Sequence, residues 1–209
     1  QRLNVKNALG DAGIRHDVVD AVLSAGNNNV YQVWLRANAI MTPAGMAATE
    51  KAVEAFTRAA NLAQKTENEF LMPATNVEDI RRFWLRVKEM AETQGISAEE
   101  VMVNYITVSH RQEEGKIDTS LFEAPEEEAL FEAYQSARTR IEALTKLMDY
   151  VGVLEVVAEI AAPIDAFFTS VMVMVDNEKV RNNRLALLRA ITGLTTGIVN
   201  LSKIVPAAK

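Results

Sequence analysis

Four cations and an amide crowd one stretch near the end of the chain: Lys179, Arg181, Asn182, Arg184 and Arg189. Guanidinium and ammonium groups attract phosphate oxygens, and an Asn amide offers both a donor and an acceptor to the edge of a base. A second set, Arg58, Asn61 and Lys65, is spaced three and four apart, so a helix there would put all of it on one face. From Asp176 to Lys209 there are six basic and two acidic residues, whereas Arg111 to Glu159 holds five basic and twelve acidic ones. Charge is therefore segregated, and the basic end is the natural phosphate-facing side. Four to six phosphate contacts would forfeit roughly 10²–10³ in affinity between about 50 and 200 mM salt through counterion uptake. Each set has a plainer reading. Arg184 could pair with an acidic neighbour or snorkel over the surface, and Arg58, Asn61 and Lys65 could form a solvated face.

Other chemistries find less support. His16-Asp17 is the dipeptide of metal-dependent phosphohydrolases, but that chemistry needs more His and Asp ligands, and the only other His is His110. His16 and Asp17 read better as first-turn residues of a helix, with Asp17 favoured by the helix dipole. Glu126, Glu127 and Glu128 are adjacent, so they point in different directions on a helix and read as dipole partners. With no Cys there is no thiolate metal site, disulfide or cysteine nucleophile. No phosphate-cradling glycine loop and no nucleophile elbow occurs. We assign no catalytic residue and no metal ligand. Trp34 and Trp84 have apolar neighbours at helical spacing, which predicts core or interface packing over base stacking. Phe167, Phe168 and the methionines near them read as core lining.

The whole chain has a formal charge of −6, so any nucleic-acid contact must come from a local basic face. Apolar residues are 49 % and aromatics only 6 %, a mix that favours helix over strand. No apolar run approaches the roughly 20 residues that span a bilayer, and no signal peptide follows Gln1-Arg2-Leu3-Asn4. The missing initiator Met predicts a piece of a longer protein, and a cytoplasmic setting is expected.

The elements that must position these residues are helices. The first signal is His16 to Leu23, ended by Gly26-Asn27-Asn28-Asn29. A helix over Val30–Ile40 follows, then a break at Thr42-Pro43, then a helix from about Gly45 to Lys65. Asn76 is placed to cap a helix running to about Gln94, and Ser97 opens another to about His110. Pro125 and the three glutamates start a long helix to about Tyr150. Gly152 interrupts it, a short helix runs to Ala162, and Pro163 opens the next piece. Val171-Met172-Val173-Met174-Val175 is expected as a buried extended connection or an irregular turn. The last helix is expected from Glu178 to Lys203, capped by Asp176 or Asn177, with Leu185, Leu188, Ile191 and Leu194 facing a core and the arginines facing out. Together these predict an all-α fold, an antiparallel helical bundle. Residues 1–45 read as the end of a preceding domain, and 46–209 as the bundle, with a two-helix insert at about 66–117.

Three stretches carry a family resemblance. The strongest is Ala162-Pro163-Ile164-Asp165-Ala166-Phe167-Phe168, then Val171 to Met174, then Asn177 through Leu188. It resembles the C-terminal signature of the glycyl-tRNA synthetase β-subunit family. Arg58-Ala59-Ala60-Asn61-Leu62-Ala63-Gln64-Lys65 and Asp17-Val18-Val19-Asp20-Ala21-Val22-Leu23 resemble two further helices of that family, in the same order. The resemblance covers roughly three quarters of the chain and omits Thr66 to about Ile117. It implies a bundle of the class I synthetase anticodon-binding type that recognises the anticodon arm of tRNA(Gly). The implied contacts come from Arg58, Asn61, Lys65, Lys179, Arg181, Asn182, Arg184 and Arg189. It further implies an α subunit as partner in an α2β2 assembly, with glycylation chemistry, ATP and Mg belonging to the parent complex and not to this chain. Neither DNA nor a membrane is an implied partner. Two alternatives are the corresponding domain of arginyl-tRNA synthetase or a relative, and a non-catalytic helical module that docks proteins through Trp84 and the acidic middle.

Overall fold

A computed structural model describes residues 2–26, 29–70, 85, 87–93, 95, 97, 98, 101 and 117–206, and the regular elements among them are all helical. Helix α1 (Arg2–Asp11) precedes the first helix that the hydrophobic pattern predicts. It is held by buried Leu9 and by Lys6, whose Nζ lies 2.7 Å from Asp20 Oδ1 on α2 (His16–Ser24). Gly13, at φ 82°, ends α1: the Ile14 N–H returns to the Leu9 carbonyl, and Ile14 is buried. Helix α3 (Val30–Met41) begins at Asn29, whose side chain accepts the Gln32 N–H at 3.1 Å.

Thr42 then turns the chain. Its hydroxyl oxygen donates to the Ala39 carbonyl of α3 and accepts from the Gly45 N–H of α4 (Pro43–Phe70), while Pro43 takes the first helical position, where no N–H is required. Helix α5 (Pro125–Lys146) and α6 (Tyr150–Ser170) form an antiparallel hairpin. Its turn needs Met148 at φ 56°, and Asp149 caps α6 through the Gly152 N–H at 3.0 Å. Gly152 therefore belongs to the first turn of α6 and does not interrupt a longer helix. Pro163 lies inside α6 and opens no new piece. The helix continues because Ile160, Ala161, Ile164 and Phe167, on both sides of Pro163, are all buried, and tertiary packing outweighs one missing N–H.

The bundle is built on α4 and α6, with α5 against α6 and α7 (Glu178–Gly193) against α4 and α5. Asn177, one of the two expected caps, accepts the Lys179 and Val180 N–H groups. Helix α7 ends at Gly193, well short of Lys203. The chain then turns, with Gly197 at φ 76°, and crosses α2: Gly197 N–H donates to the Ala25 carbonyl and Asn200 N–H to the Ala21 carbonyl. A 3-10 turn (Leu201–Lys203) follows. One apolar core runs from Leu9, Val18, Val22, Val33 and Ile40 through Ala52 and Phe56 to Leu130, Leu154, Ile164 and Leu188, so it crosses position 45 without a break.

Within 66–117, α4 extends to Phe70, and Val87, Ala91 and Val101 form a small apolar cluster of their own. The expected cap Asn76, Trp84 and His110 lie outside the described residues. Among the described residues no helix is long and apolar enough to cross a membrane.

Candidate nucleic-acid interface

Helix α7 is buried nearly all round its middle: Asn183, Arg184, Leu185, Ala186, Leu187 and Leu188 are all inside. The expected leucine stripe, Leu185, Leu188, Ile191 and Leu194, does face the core. The expectation that Arg184 faces outward is corrected. Its side chain is 4 % exposed, and its Nε donates to Glu127 Oε1 at 2.8 Å. Nη2 donates to Glu127 Oε2 at 3.1 Å and to Glu123 Oε2 at 2.8 Å, and Nη1 to the Met172 carbonyl at 3.0 Å. An RNA phosphate cannot reach this guanidinium without displacing those partners.

Glu127 is the centre of the cluster. Its Oε2 also accepts the Glu123 and Ala124 backbone N–H groups at 2.8 and 3.0 Å, which serves the free donor of the N-cap residue Ala124 and that of the residue before it. Burial pushes this carboxyl up, but the Arg184 hydrogen bond, the two backbone donors and the Arg184 charge outweigh it and hold it below the usual glutamate range. Arg184 is correspondingly raised, chiefly by the hydrogen bond to Glu127. Asn183 acts beside it as a two-point backbone clamp: the Asp118 N–H donates to Asn183 Oδ1 at 2.7 Å, and Asn183 Nδ2 donates to the Asp118 carbonyl at 2.9 Å. The Asn183-Arg184 pair thus ties α7 to the segment that enters α5.

The sequence carries a signal for this that the leucine stripe alone hides. Val180, Arg184, Leu187, Leu188 and Ile191 lie at i, i+4, i+7, i+8 and i+11, which puts Arg184 within an apolar stripe. The Glu123 to Glu128 run supplies its counter-charge.

The remaining cations lie at the surface. Lys179 is exposed; Arg181, Asn182 and Arg189 are partly so. Arg181 is steered by its own hydrogen bond, Nη1 to the Val175 carbonyl at 2.9 Å. On α4, Arg58 and Asn61 are exposed, and the Arg58 guanidinium carbon lies 4.3 Å from the centre of the Phe168 ring near the end of α6. Lys65 lies on α4, but its side chain is outside the described residues. The structure therefore brings Arg58 to the end of α6, which runs within a few residues into the start of α7 with Lys179 and Arg181. Exposed Asp176 and Glu178 sit at that same end, so its charge is mixed.

The linker between α6 and α7 leaves α6 extended at Val171 and then bends at Val173 and Met174, where the Val175 N–H donates to the Val173 carbonyl at 3.1 Å, and only half of it is buried. Val171 and Val173 point inward at 6 % and 5 % exposure, while Met172 and Met174 point out at 73 % and 53 %. The expectation of a methionine-lined core is corrected by that alternation of buried valines and exposed methionines. Phe167 is fully buried and meets the ring of Phe168 edge-on. Trp34 is 47 % exposed on α3, so it is not a core residue.

The phosphohydrolase-like dipeptide is occupied otherwise. Asp17 accepts from Arg15 and from the Val205 N–H, and it is held below the usual range because those donors outweigh its burial. His16 Nδ1 lies 3.2 Å from Asp20 Oδ2, one helical turn on. A second buried cation was not foreseen. Arg36 on α3 is 1 % exposed, and its guanidinium donates to the carbonyls of Gln32, Gly197 and Ile198, which fastens the C-terminal turn to α3.

Residues 105–204 match the DALR anticodon binding domain family. Nearly the whole chain aligns with proteins named glycine–tRNA ligase beta subunit. The relative from Desulforudis audaxviator (strain MP104C) is 33 % identical over 97 % of this chain and 22 % of its own length. The one from Syntrophus aciditrophicus (strain SB) is 31 % identical over 98 % and 23 %. That from Syntrophotalea carbinolica (strain DSM 2380) is 32 % identical over 97 % and 23 %. The chain thus spans somewhat less than a quarter of the length of these curated relatives. Over that segment the chain is similar to glycine–tRNA ligase β subunits, and within it residues 105–204 match the DALR anticodon binding domain family.

Proposed function

We propose that the chain is the tRNA-binding part of a glycine–tRNA ligase β subunit and grips the anticodon-side arm of tRNA(Gly). The observation that carries this reading is the extent of the family match. Residues 105–204 include α5, α6 and α7, the helices that frame exposed Lys179 and partly exposed Arg181 and Asn182. Arg58 and Asn61 join them from α4. Arg and Lys would hold phosphates, and Asn61 and Asn182 would reach the edges of unstacked loop bases. Arg184 acts in this reading from inside, by fixing the linker and the start of α5.

In the same reading the chain supports glycylation without performing it. Adenylate formation, with its ATP and Mg, falls to an α subunit joined in an α2β2 assembly, in a cytoplasmic setting. A gel-shift titration of tRNA(Gly) against the chain at several salt concentrations tests the reading. Binding should be present at low salt and weaken steeply as salt rises, since each phosphate contact takes up counterions on release. Absence of binding at about 50 mM salt, where such contacts are strongest, would instead favour a module that docks proteins.

A further inference from the structure

We propose that the α6–α7 linker is a base-contacting turn: Met172 and Met174 project from a backbone anchored by Val171, Val173 and two arginines and pack against unstacked bases of the bound RNA loop. The inference rests on the tRNA-binding reading above.

Four observations converge on it. Exposure alternates along the linker: Val171 and Val173 are buried, while Met172 and Met174 are 73 % and 53 % exposed. The segment is not slack, because Arg184 holds the Met172 carbonyl and Arg181 holds the Val175 carbonyl. Methionine sulfur packs well against aromatic faces and adapts to different ones, which suits bases of varied identity. Finally, the neighbouring charges are mixed: Arg58, Lys179 and Arg181 stand with Asp176 and Glu178. With charges so mixed, the cations meet phosphates one at a time, and the exposed methionines between them are left to contact the bases of a single-stranded loop.

The test compares the full-length protein with a Met172→Ala/Met174→Ala variant. Each is titrated with tRNA(Gly) and with the same tRNA carrying abasic sites in its anticodon loop. Both methionines are exposed, so the variant should keep the wild-type circular dichroism and melting temperature. The expected result is a loss of about ten-fold in affinity for the normal tRNA, the size of one lost base stack. The preference for the normal over the abasic tRNA should shrink in the variant by about the same factor, leaving the part that Asn61 and Asn182 supply, and the salt slope should be unchanged because no cation is lost. If the variant still prefers the normal loop as strongly as wild type does, the linker does not contact bases and the inference fails alone. If wild-type protein binds neither tRNA at low salt, the tRNA-binding reading fails and the inference with it.

Discussion

Arg184 and Glu127 meet inside the bundle, Nε to Oε1 at 2.8 Å, with 4 % and 0 % of their side chains reaching solvent. Neither has water to fall back on, so each depends on the other. Removal of one partner strands a buried charge, which typically costs about 3–5 kcal/mol. Arg184→Met should therefore lower stability by about that amount in urea unfolding. Adding Glu127→Gln should recover much of the loss, since a neutral amide oxygen still accepts the Glu123 and Ala124 N–H groups. Any loss of tRNA affinity in Arg184→Met should track the loss of folded helix and of the anchor on the Met172 carbonyl. A stable Arg184→Met protein that loses far more tRNA affinity than Met172→Ala/Met174→Ala would make the guanidinium a direct contact after all.

The same pair sets an acid limit. Glu127 titrates below its ordinary value of 4.5 in the folded state because its donors outweigh its burial. A carboxyl with a depressed folded pKa binds fewer protons folded than unfolded. Its contribution is complete above the unfolded value and is lost as pH falls through the folded one. The wild-type minus Glu127→Gln stability difference should be flat at neutral pH and shrink in the acid range below about 4.5. A difference that instead grows as pH falls would contradict the depressed value.

How much of this was legible beforehand follows from what each residue type encodes. The leucines of α7 and the cap at Asn177 were readable because an apolar stripe and a side-chain acceptor have short-range signatures. The fate of Arg184 was not, since its partners Glu127 and Glu123 are 57 and 61 positions away. A stripe shows which face is buried, but not whether an arginine there has found a carboxylate. Pro163 misleads for a related reason: its local cost is fixed, while the burial of Ile160, Ile164 and Phe167 that offsets it is tertiary. Met172 and Met174 read as core by residue type, and only the path of the linker turns them outward. Helix α1 has a weak apolar face, and its place is set by Lys6 reaching Asp20 and by Leu9.

Gly45 tests the corner that brings α4, and with it Arg58 and Asn61, beneath α6. A Cβ at this position would overlap the Ala39 carbonyl oxygen, a backbone atom that cannot rotate away, and would crowd the Thr42 hydroxyl at 3.0 Å. Gly45→Ala must open the α3–α4 turn despite its better helix propensity. We expect destabilisation of about 1–3 kcal/mol, the usual cost of overpacking a tight site. A rise in melting temperature would show that propensity governs here instead.

The surface cations separate contact from architecture. Lys179 is exposed at the start of α7, and Arg58 is exposed on α4 against Phe168. Neither is built into the core, so Lys179→Ala and Arg58→Ala should leave stability within about 0.5–1 kcal/mol of wild type, the larger value allowing for the lost cation–π contact. If each meets one phosphate, each substitution should weaken tRNA(Gly) binding at low salt and reduce the slope of log affinity against log salt by about one. Arg140 on α5 is the matched control. It is exposed and pairs with Glu159 across the α5–α6 hairpin, so Arg140→Ala should leave the slope alone. Equal slopes in all four proteins would remove Lys179 and Arg58 from the interface. A slope that falls equally in Arg140→Ala would mean that RNA is drawn by overall charge and not by the α4–α6–α7 end, because a neutralised cation anywhere would then count the same.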